Sequence, residues 1–259
     1  MGGDFILFAV VGFLAQLIDG ALGMAYGVIS STVLLSLGVS PAYASATAHA
    51  AEVFTTAASA TSHVAHRNID WRLFWRLAPA GVLGGVLGAY LLTSVDGSVA
   101  RPFVTAYLTI MGCFILYRAF RGVSPGLDPK THFVAPLGVV GGFADAAGGG
   151  GWGPVVTSTL VGSGGKPRYV IGTVNAAEFL LASSISAAFL FALLSGHWEE
   201  AGELVDHAWS VAGLVVGGLM AAPLAGLVVK RVPTRGLMYA VGILVICLAG
   251  YQTWDMLAG

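Results

Sequence analysis

Four acidic residues stand inside long apolar runs: Asp19, Glu52, Asp145 and Glu178. They form two pairs with one spacing, Asp19/Asp145 and Glu52/Glu178, each 126 residues apart. A charged residue at the centre of a bilayer costs about 2.5–3.5 kcal/mol on insertion scales; it faces a cavity or a partner and marks a path for ions, protons or substrate. The competing role is capping, in which an Asp before a glycine turn accepts hydrogen bonds from the first N–H groups of the next helix. Capping suits Asp19 and Asp145, which precede glycine turns. It suits Glu52 and Glu178 less, because both fall mid-helix.

Each Asp opens a glycine-rich break. One runs Asp19-Gly20-Ala21-Leu22-Gly23, and the other runs from Asp145 through Gly148-Gly149-Gly150-Gly151-Trp152-Gly153 to Pro154. The chain is expected to resume as helix near residues 24–28 and 151–155. A helix N-terminus presents unpaired N–H groups at the positive end of its dipole. Glycine lets a ligand approach the backbone without side-chain obstruction. The run Gly148–Gly153 therefore has the chemistry of an anion-binding concavity, with Trp152 as a wall. The glycines at 81, 84, 85 and 88, and at 213, 217 and 218, read instead as close helix-packing positions.

A polar stripe follows the first break: His49, Glu52, Ser59, His63 and His66, at helical spacing. His63 with Glu52 suggests a proton path, because histidine titrates near neutrality. His49-x-x-Glu52 has the spacing of a metal pair, but the counterpart of His49 in the second half is Asn175, an amide suited to hydrogen bonding. No metal and no cofactor are expected, and His66 is assigned to the cytoplasmic interface.

These residues must be held by membrane helices. The chain has 259 residues, of which 56% are hydrophobic and only 10% charged. Soluble domains carry about 25% charged residues, so this chain cannot cover a water-facing surface. A net charge of −1 with no basic domain excludes nucleic acid as a partner. Two cysteines, Cys113 and Cys247, make no disulfide framework and read as small buried hydrophobes. Asp4 before the first apolar run, with no Lys or Arg, is the reverse of a secretory signal. No P-loop is present, so an ATP-driven pump in one chain is excluded. Catalysis lacks a nucleophile–base pair, so no enzyme is expected.

Apolar segments cover 5–37, 41–66, 72–95, 99–121, 132–164, 167–195, 205–229 and 236–255. Six have the length of ordinary spans. The first and fifth are each two short arms around a polar, glycine-rich centre. Trp71, Trp75, Trp198 and Trp254 read as interfacial anchors.

Residues 12–54 align with 138–180 without a gap, and 13 of the 43 pairs are identical. Chance would match Leu, Val and Ala; here Asp, Glu, Pro and Gly match in register. The chain therefore reads as a duplication, 1–126 and 127–259, within one membrane domain. If both broken segments crossed the membrane, the 12 Lys and Arg would divide evenly between the two sides. If both are re-entrant, 11 fall on one side and only Arg101 on the other, with Asp4, Asp96, Glu199, Glu200, Glu203, Asp206 and Asp255. The positive-inside rule selects the second arrangement. The expected fold is all-α and polytopic, with two inverted-topology repeats. Each repeat holds a re-entrant helical hairpin and three transmembrane helices, and both termini are extracytoplasmic.

The size, the duplicated halves, the two breaks, and the helices Pro41…Thr47…Glu52 and Pro167…Thr173-Val174-Asn175…Glu178 together resemble the TauE/SafE family of membrane permeases, the sulfite exporters. The first break departs from the family pattern at Leu22, Met24, Ala25 and Val28. The resemblance implies transport of a small sulfur-containing anion, such as sulfite or a sulfonate, across a bacterial plasma membrane. No intramembrane Lys or Arg is present to neutralise it, so backbone N–H groups and hydroxyls at Ser30, Ser31, Thr32, Thr157, Ser158 and Thr159 must carry recognition. The expected substrate contacts are Gly23, Gly27, Ser31, Thr47, His49, Gly149, Gly150, Gly151, Trp152, Gly153, Thr157, Thr173 and Asn175. Asp19, Glu52, Asp145, Glu178 and His63 are the expected coupling and proton-binding groups. The alternative is a passive anion channel built on the same tips.

Overall fold

A computed structural model describes residues 2–121, 133–198, 204–231 and 233–258, and every regular element among them is helical. Ten α-helices follow in order: α1 (Gly2–Leu22), α2 (Tyr26–Ser36), α3 (Pro41–Ala65), α4 (Trp71–Thr93), α5 (Gly97–Arg121), α6 (Val134–Gly148), α7 (Ser158–Gly162), α8 (Pro167–Leu194), α9 (Leu204–Arg231) and α10 (Thr234–Ala258). A π-helical turn, Trp152–Thr157, leads into α7. Lys130, Glu199, Glu200 and Glu203, part of the charge asymmetry, lie outside the described residues, as do the side chains of Asp4, Asp206, Lys230 and Arg231.

Local chemistry sets the helix ends. Pro41 and Pro167 occupy first turns, where a missing N–H costs nothing. Asp70 Oδ1 caps α4, accepting from Arg72 N at 2.9 Å and Leu73 N at 3.2 Å. Asp96 caps α5 in the same way, accepting from Ser98 N at 2.8 Å and from the Ser98 hydroxyl. Those two bonds favour its ionised form and hold its carboxyl below the usual range.

Five helices are long and apolar enough to cross a bilayer: Phe5–Leu22, Trp71–Thr93, Gly97–Arg121, Pro167–Leu194 and Arg235–Ala258. The chain is therefore a multi-pass membrane protein. α3 has the length but carries Ser, Thr, His and Glu, and α6 is shorter, at 15 residues. The first broken segment is unequal: its first arm is itself of spanning length, whereas α2 has 11 residues. Large apolar side chains such as Phe103, Phe120, Phe191 and Leu194 point outward, as lipid contact requires.

Two expectations are corrected. Cys113 and Cys247 are free and exposed on the outside of the bundle, where lipid takes the place of a core. Trp198 is no exposed anchor; it is buried between Tyr43 and Phe189, with ring centroids 4.5 and 5.8 Å away. Trp71, Trp75 and Trp254 are exposed.

Helix packing runs crosswise. α1 packs on α9 and α6 on α4, while α3 packs on α8 and α5 on α10. Glycines make the first two contacts close. On α9, Gly213 meets Phe5 and Ala9, and Gly217 meets Ala9 and Phe13. On α6, Gly138 meets Leu77 and Ala80, and Gly142 meets Gly81. Both pairs therefore run parallel. At one end, Phe5 meets Trp209, Ser94 meets His197, and Arg101 reaches Asp255 and the Leu35 carbonyl. At the other, Arg168 joins Asn68 and the His66 carbonyl, and Arg118 reaches the Ser158 carbonyl.

A Cβ at Gly84 would meet the Val139 carbonyl, and one at Gly217 the Ala9 carbonyl; at Gly236 it would meet nothing. Gly84→Val and Gly217→Val are expected to cost about 3 kcal/mol or more by forcing the helices apart. Thermal unfolding in detergent checks this, with Gly236→Ala expected to leave the midpoint unchanged or raised.

Candidate functional site

Both helix breaks obey one chemical rule. In each, an Asp accepts from backbone N–H groups that the break has orphaned. Gly23, in the left-handed region at φ 66°, ends α1 and donates to the Asp19 carbonyl at 2.6 Å. The Tyr26 N–H, at the start of α2, then points to Asp19 Oδ1 at 3.4 Å. In the second break, Gly149 (φ 74°) and Gly150 (φ 147°) turn the chain. Asp145 Oδ1 accepts from Gly151 N at 2.6 Å and Trp152 N at 2.9 Å. The capping role of both aspartates is thus realised, and the second is much the tighter. Ala25 sits at φ 109°, where glycine would be unstrained, so the first break holds a backbone conformation its residue does not favour.

The two breaks meet. Gly23 O accepts from Thr157 Oγ1 at 3.1 Å. A Cβ built on Gly153 would lie 2.6 Å from Met24 Cα, and one on Gly150 would strike the Val28 N–H. A Cβ on Gly27 would lie 3.0 Å from Glu52 Oε1 and 3.1 Å from Gly150 Cα, and one on Gly149 2.7 Å from Ser31 Oγ. Glycine at these positions is therefore what lets the two tips touch. Ser31, Glu52, Asp145, Thr157 and Ser158 are buried at this contact, and Ser30 and Thr32 are buried on α2. Thr32 and Thr157 have carbonyl partners, but Ser30 Oγ, Ser31 Oγ and Glu52 Oε2 have no hydrogen-bond partner. Buried hydroxyls and carboxylates are ordinarily satisfied, so these three atoms are available to a ligand.

His49 joins the halves. Its Nδ1 lies 2.7 Å from the Ser45 carbonyl, and its Nε2 lies 3.1 Å from Asp145 Oδ2 and 3.8 Å from Glu52 Oε2. The ligand atoms of these three residues all fall within 4.8 Å of one another, close enough to surround one small cation. Asn175, the counterpart of His49, donates to the Ile171 carbonyl at 3.1 Å and accepts from Ser59 at 2.9 Å. Glu178 is buried on α8, within electrostatic reach of Asp19, Glu52 and Asp145.

Other expected residues lie elsewhere. Thr47 and Thr173 are two residues before His49 and Asn175, about 200° around their helices, and so face away from them. Thr173 Oγ1 accepts from the Asp70 N–H at 2.8 Å and ties the α3–α4 turn to α8. His63 is at the end of α3 with Asn68, 3.3 Å away, and touches none of the acids. The Trp152 ring is fully buried against Gly81 and Gly141, and its Nε1–H donates to Val174 O at 3.2 Å. Trp152 is therefore a packing anchor, and its backbone, not its ring, borders the tips.

Sequence patterns left some residues unmarked. Tyr107 donates to the Gly150 carbonyl at 2.9 Å and lies against Gly148 and Gly151. Gln252, fully buried, donates to Thr32 O at 3.1 Å and accepts from Thr105 at 3.0 Å. Neither lies in a repeated motif, though a glutamine in an apolar helix was a signal to follow. The open apolar groove between α4 and α8, lined by Val86, Tyr90 and Phe191 among others, includes none of the buried acids.

The three Asp145 contacts exceed the single long one of Asp19. Asp145→Ala is expected to destabilise the protein by at least about 2 kcal/mol more than Asp19→Ala, because it strands two N–H groups and His49. Paired thermal-unfolding curves in one detergent check the order.

The sequence matches the family model described as Sulfite exporter TauE/SafE over residues 8–252. It is 45% identical over 232 residues to the "Probable membrane transporter protein YtnM" of Bacillus subtilis (strain 168), covering 87% of this chain and 75% of that one. No solved structure matches. A family match across nearly the whole chain, on helices that carry paired acids into a buried contact between two glycine breaks, places this protein in the TauE/SafE family of membrane transporters.

Proposed function

We propose that this transporter carries a small sulfur-containing anion, such as sulfite or a sulfonate, across the plasma membrane by ion-coupled alternating access. The observation that carries this is the meeting of the two breaks. Two helix starts, one from each half, come together in the buried interior beside Ser31 and Glu52, whose Oγ and Oε2 make no hydrogen bond. Hydroxyl donors suit a compact oxyanion. Direct packing of tip on tip supports a carrier over an open pore.

The end contacts support the inverted-repeat arrangement. The start of α1 meets the start of α9, and the end of α2 meets Arg101 at that same end of the bundle. α1 and α2 then enter and leave on one side. α6 runs parallel to α4, and α7 reaches Arg118 at the opposite end. The second hairpin then enters from the other side. Exchanging the halves maps the α1–α9 contact onto α6–α4, as a duplication of 1–126 and 127–259 requires. Basic residues would place the second hairpin's entry side in the cytoplasm and both termini outside.

Coupling follows from charge. An anion entering beside Asp19, Glu52, Asp145 and Glu178 is repelled less when Glu52 and Glu178 hold protons. Protons then tighten anion binding, and anion binding tightens proton binding by the same factor. Glu52 and Glu178 are the groups assigned to this role, with Asp19 and Asp145 held as caps.

Purified protein screened by thermal shift against sulfite, sulfate, thiosulfate and small sulfonates is expected to respond to a sulfur oxyanion. A small sulfonate, whose own charge is fixed near neutral pH, should bind more tightly as pH falls from 8 to 6. Glu52→Gln and Glu178→Gln should each flatten that dependence. No shift with any of these anions would overturn the substrate class, and an unchanged slope in both variants would overturn the coupling role.

A further inference from the structure

We propose that His49 and Asp145 form a proton site between the two halves of the transporter, with Glu52 as the next acceptor. This rests on the coupled-carrier reading above and assigns its proton to particular atoms. Nδ1 of His49 lies 2.7 Å from the Ser45 backbone carbonyl, which only accepts, so Nδ1 carries a hydrogen. In the neutral ring, Nε2 would then be a bare lone pair. It lies 3.1 Å from Asp145 Oδ2. Two lone pairs at that distance repel, so a proton must lie between them. His49 with that proton is the intramembrane cation that no Lys or Arg supplies.

The surroundings fit. His49 is fully buried, and both acids at its Nε2 are nearly so. Glu52 Oε2 is 3.8 Å from Nε2 and has no hydrogen-bond partner, so it is free to accept. The other titratable groups facing this pair are Asp19 on α1 and Glu178 on α8, near Glu52 and Asp145; Tyr107 on α5, near Asp145; and Tyr26 on α2, near Glu52. Among the described residues no Lys or Arg faces it.

The proton's movement is tied to the tips. Asp145 Oδ1 holds the Gly151 and Trp152 N–H groups, so Asp145 cannot leave His49 without moving the second tip. When the tips separate, the Nε2 proton passes to Glu52 Oε2. The N–H bond breaks, an O–H bond forms, His49 and Glu52 become neutral and Asp145 remains ionised. The symmetric position has no such device. Asn175 makes the matching bond to the Ile171 carbonyl, but an amide cannot take up a proton. One half carries the switchable contact and the other a fixed one.

The test is ring ¹⁵N NMR of histidine-labelled protein in lipid nanodiscs at pH 7.5 with no anion added, so failure of the anion reading leaves it interpretable. His49→Asn, which copies Asn175, identifies the His49 signals by their loss. Both His49 ring nitrogens are expected to be protonated, and Asp145→Asn is expected to abolish the Nε2–H signal while the Nδ1–H signal remains. A bare Nε2 in the parent protein would overturn the proposal. So would one equivalent of a co-purifying metal that His49→Asn removes, or an Nε2–H signal unchanged in Asp145→Asn.

Discussion

Inside a bilayer every broken helix exposes backbone N–H and C=O groups that no water can satisfy, and the protein must satisfy them itself. The two glycine breaks are tolerable because Asp19 and Asp145 accept from the orphaned N–H groups, and because each tip completes the other through contacts such as Thr157 to the Gly23 carbonyl. The placement of charge follows from that demand. Aspartates are needed at the breaks, glutamates on the helices beside them lie within electrostatic reach, and histidine supplies the balancing proton. The packing glycines serve the same end, bringing α1 against α9 and α6 against α4 closely enough to bury both tips.

The two breaks are alike in plan and unlike in detail. Asp145 holds two N–H groups and His49, whereas Asp19 holds one N–H at 3.4 Å. The second tip is built from glycines, whereas the first has Ala25 in a left-handed conformation. His49 faces an acid and its counterpart Asn175 a serine. These differences give the contact between the halves a titratable side and a fixed side.

Much of this was legible in the sequence because the signals were local or repeated. Pro41 and Pro167, the glycine runs and the paired acids mark the helix starts and the breaks to within a residue or two. What escaped depended on facing direction and on contacts between distant segments. Thr47 and Thr173 share the repeat with His49 and Asn175 but turn to the far side of their helices. Trp152 stands at the tip in sequence, yet its ring fills the space above Gly81 and Gly141. Tyr107 has no motif to announce it, and its role appears only when α5 is placed beside Gly150. The Asp145 bond to His49 joins residues 96 apart, beyond any spacing rule. Cys113 and Cys247 were misjudged because, in a bilayer, apolar surroundings do not mean burial; Trp198 was misjudged because the ring that covers it, Tyr43, comes from a distant segment.

The central claim is that the two tips share one anion. Equilibrium binding of labelled sulfite to purified protein, measured for Ser31→Ala, Ser158→Ala (whose hydroxyl has only the Met24 sulfur, 3.9 Å away, as a partner) and the double variant, tests it most directly. Each single change should weaken binding about 5- to 10-fold, the loss of about one hydrogen bond. The double variant should fall short of the product of the two, because both hydroxyls act on one ligand. Unchanged binding in either single variant, or strictly independent effects, would contradict a shared site.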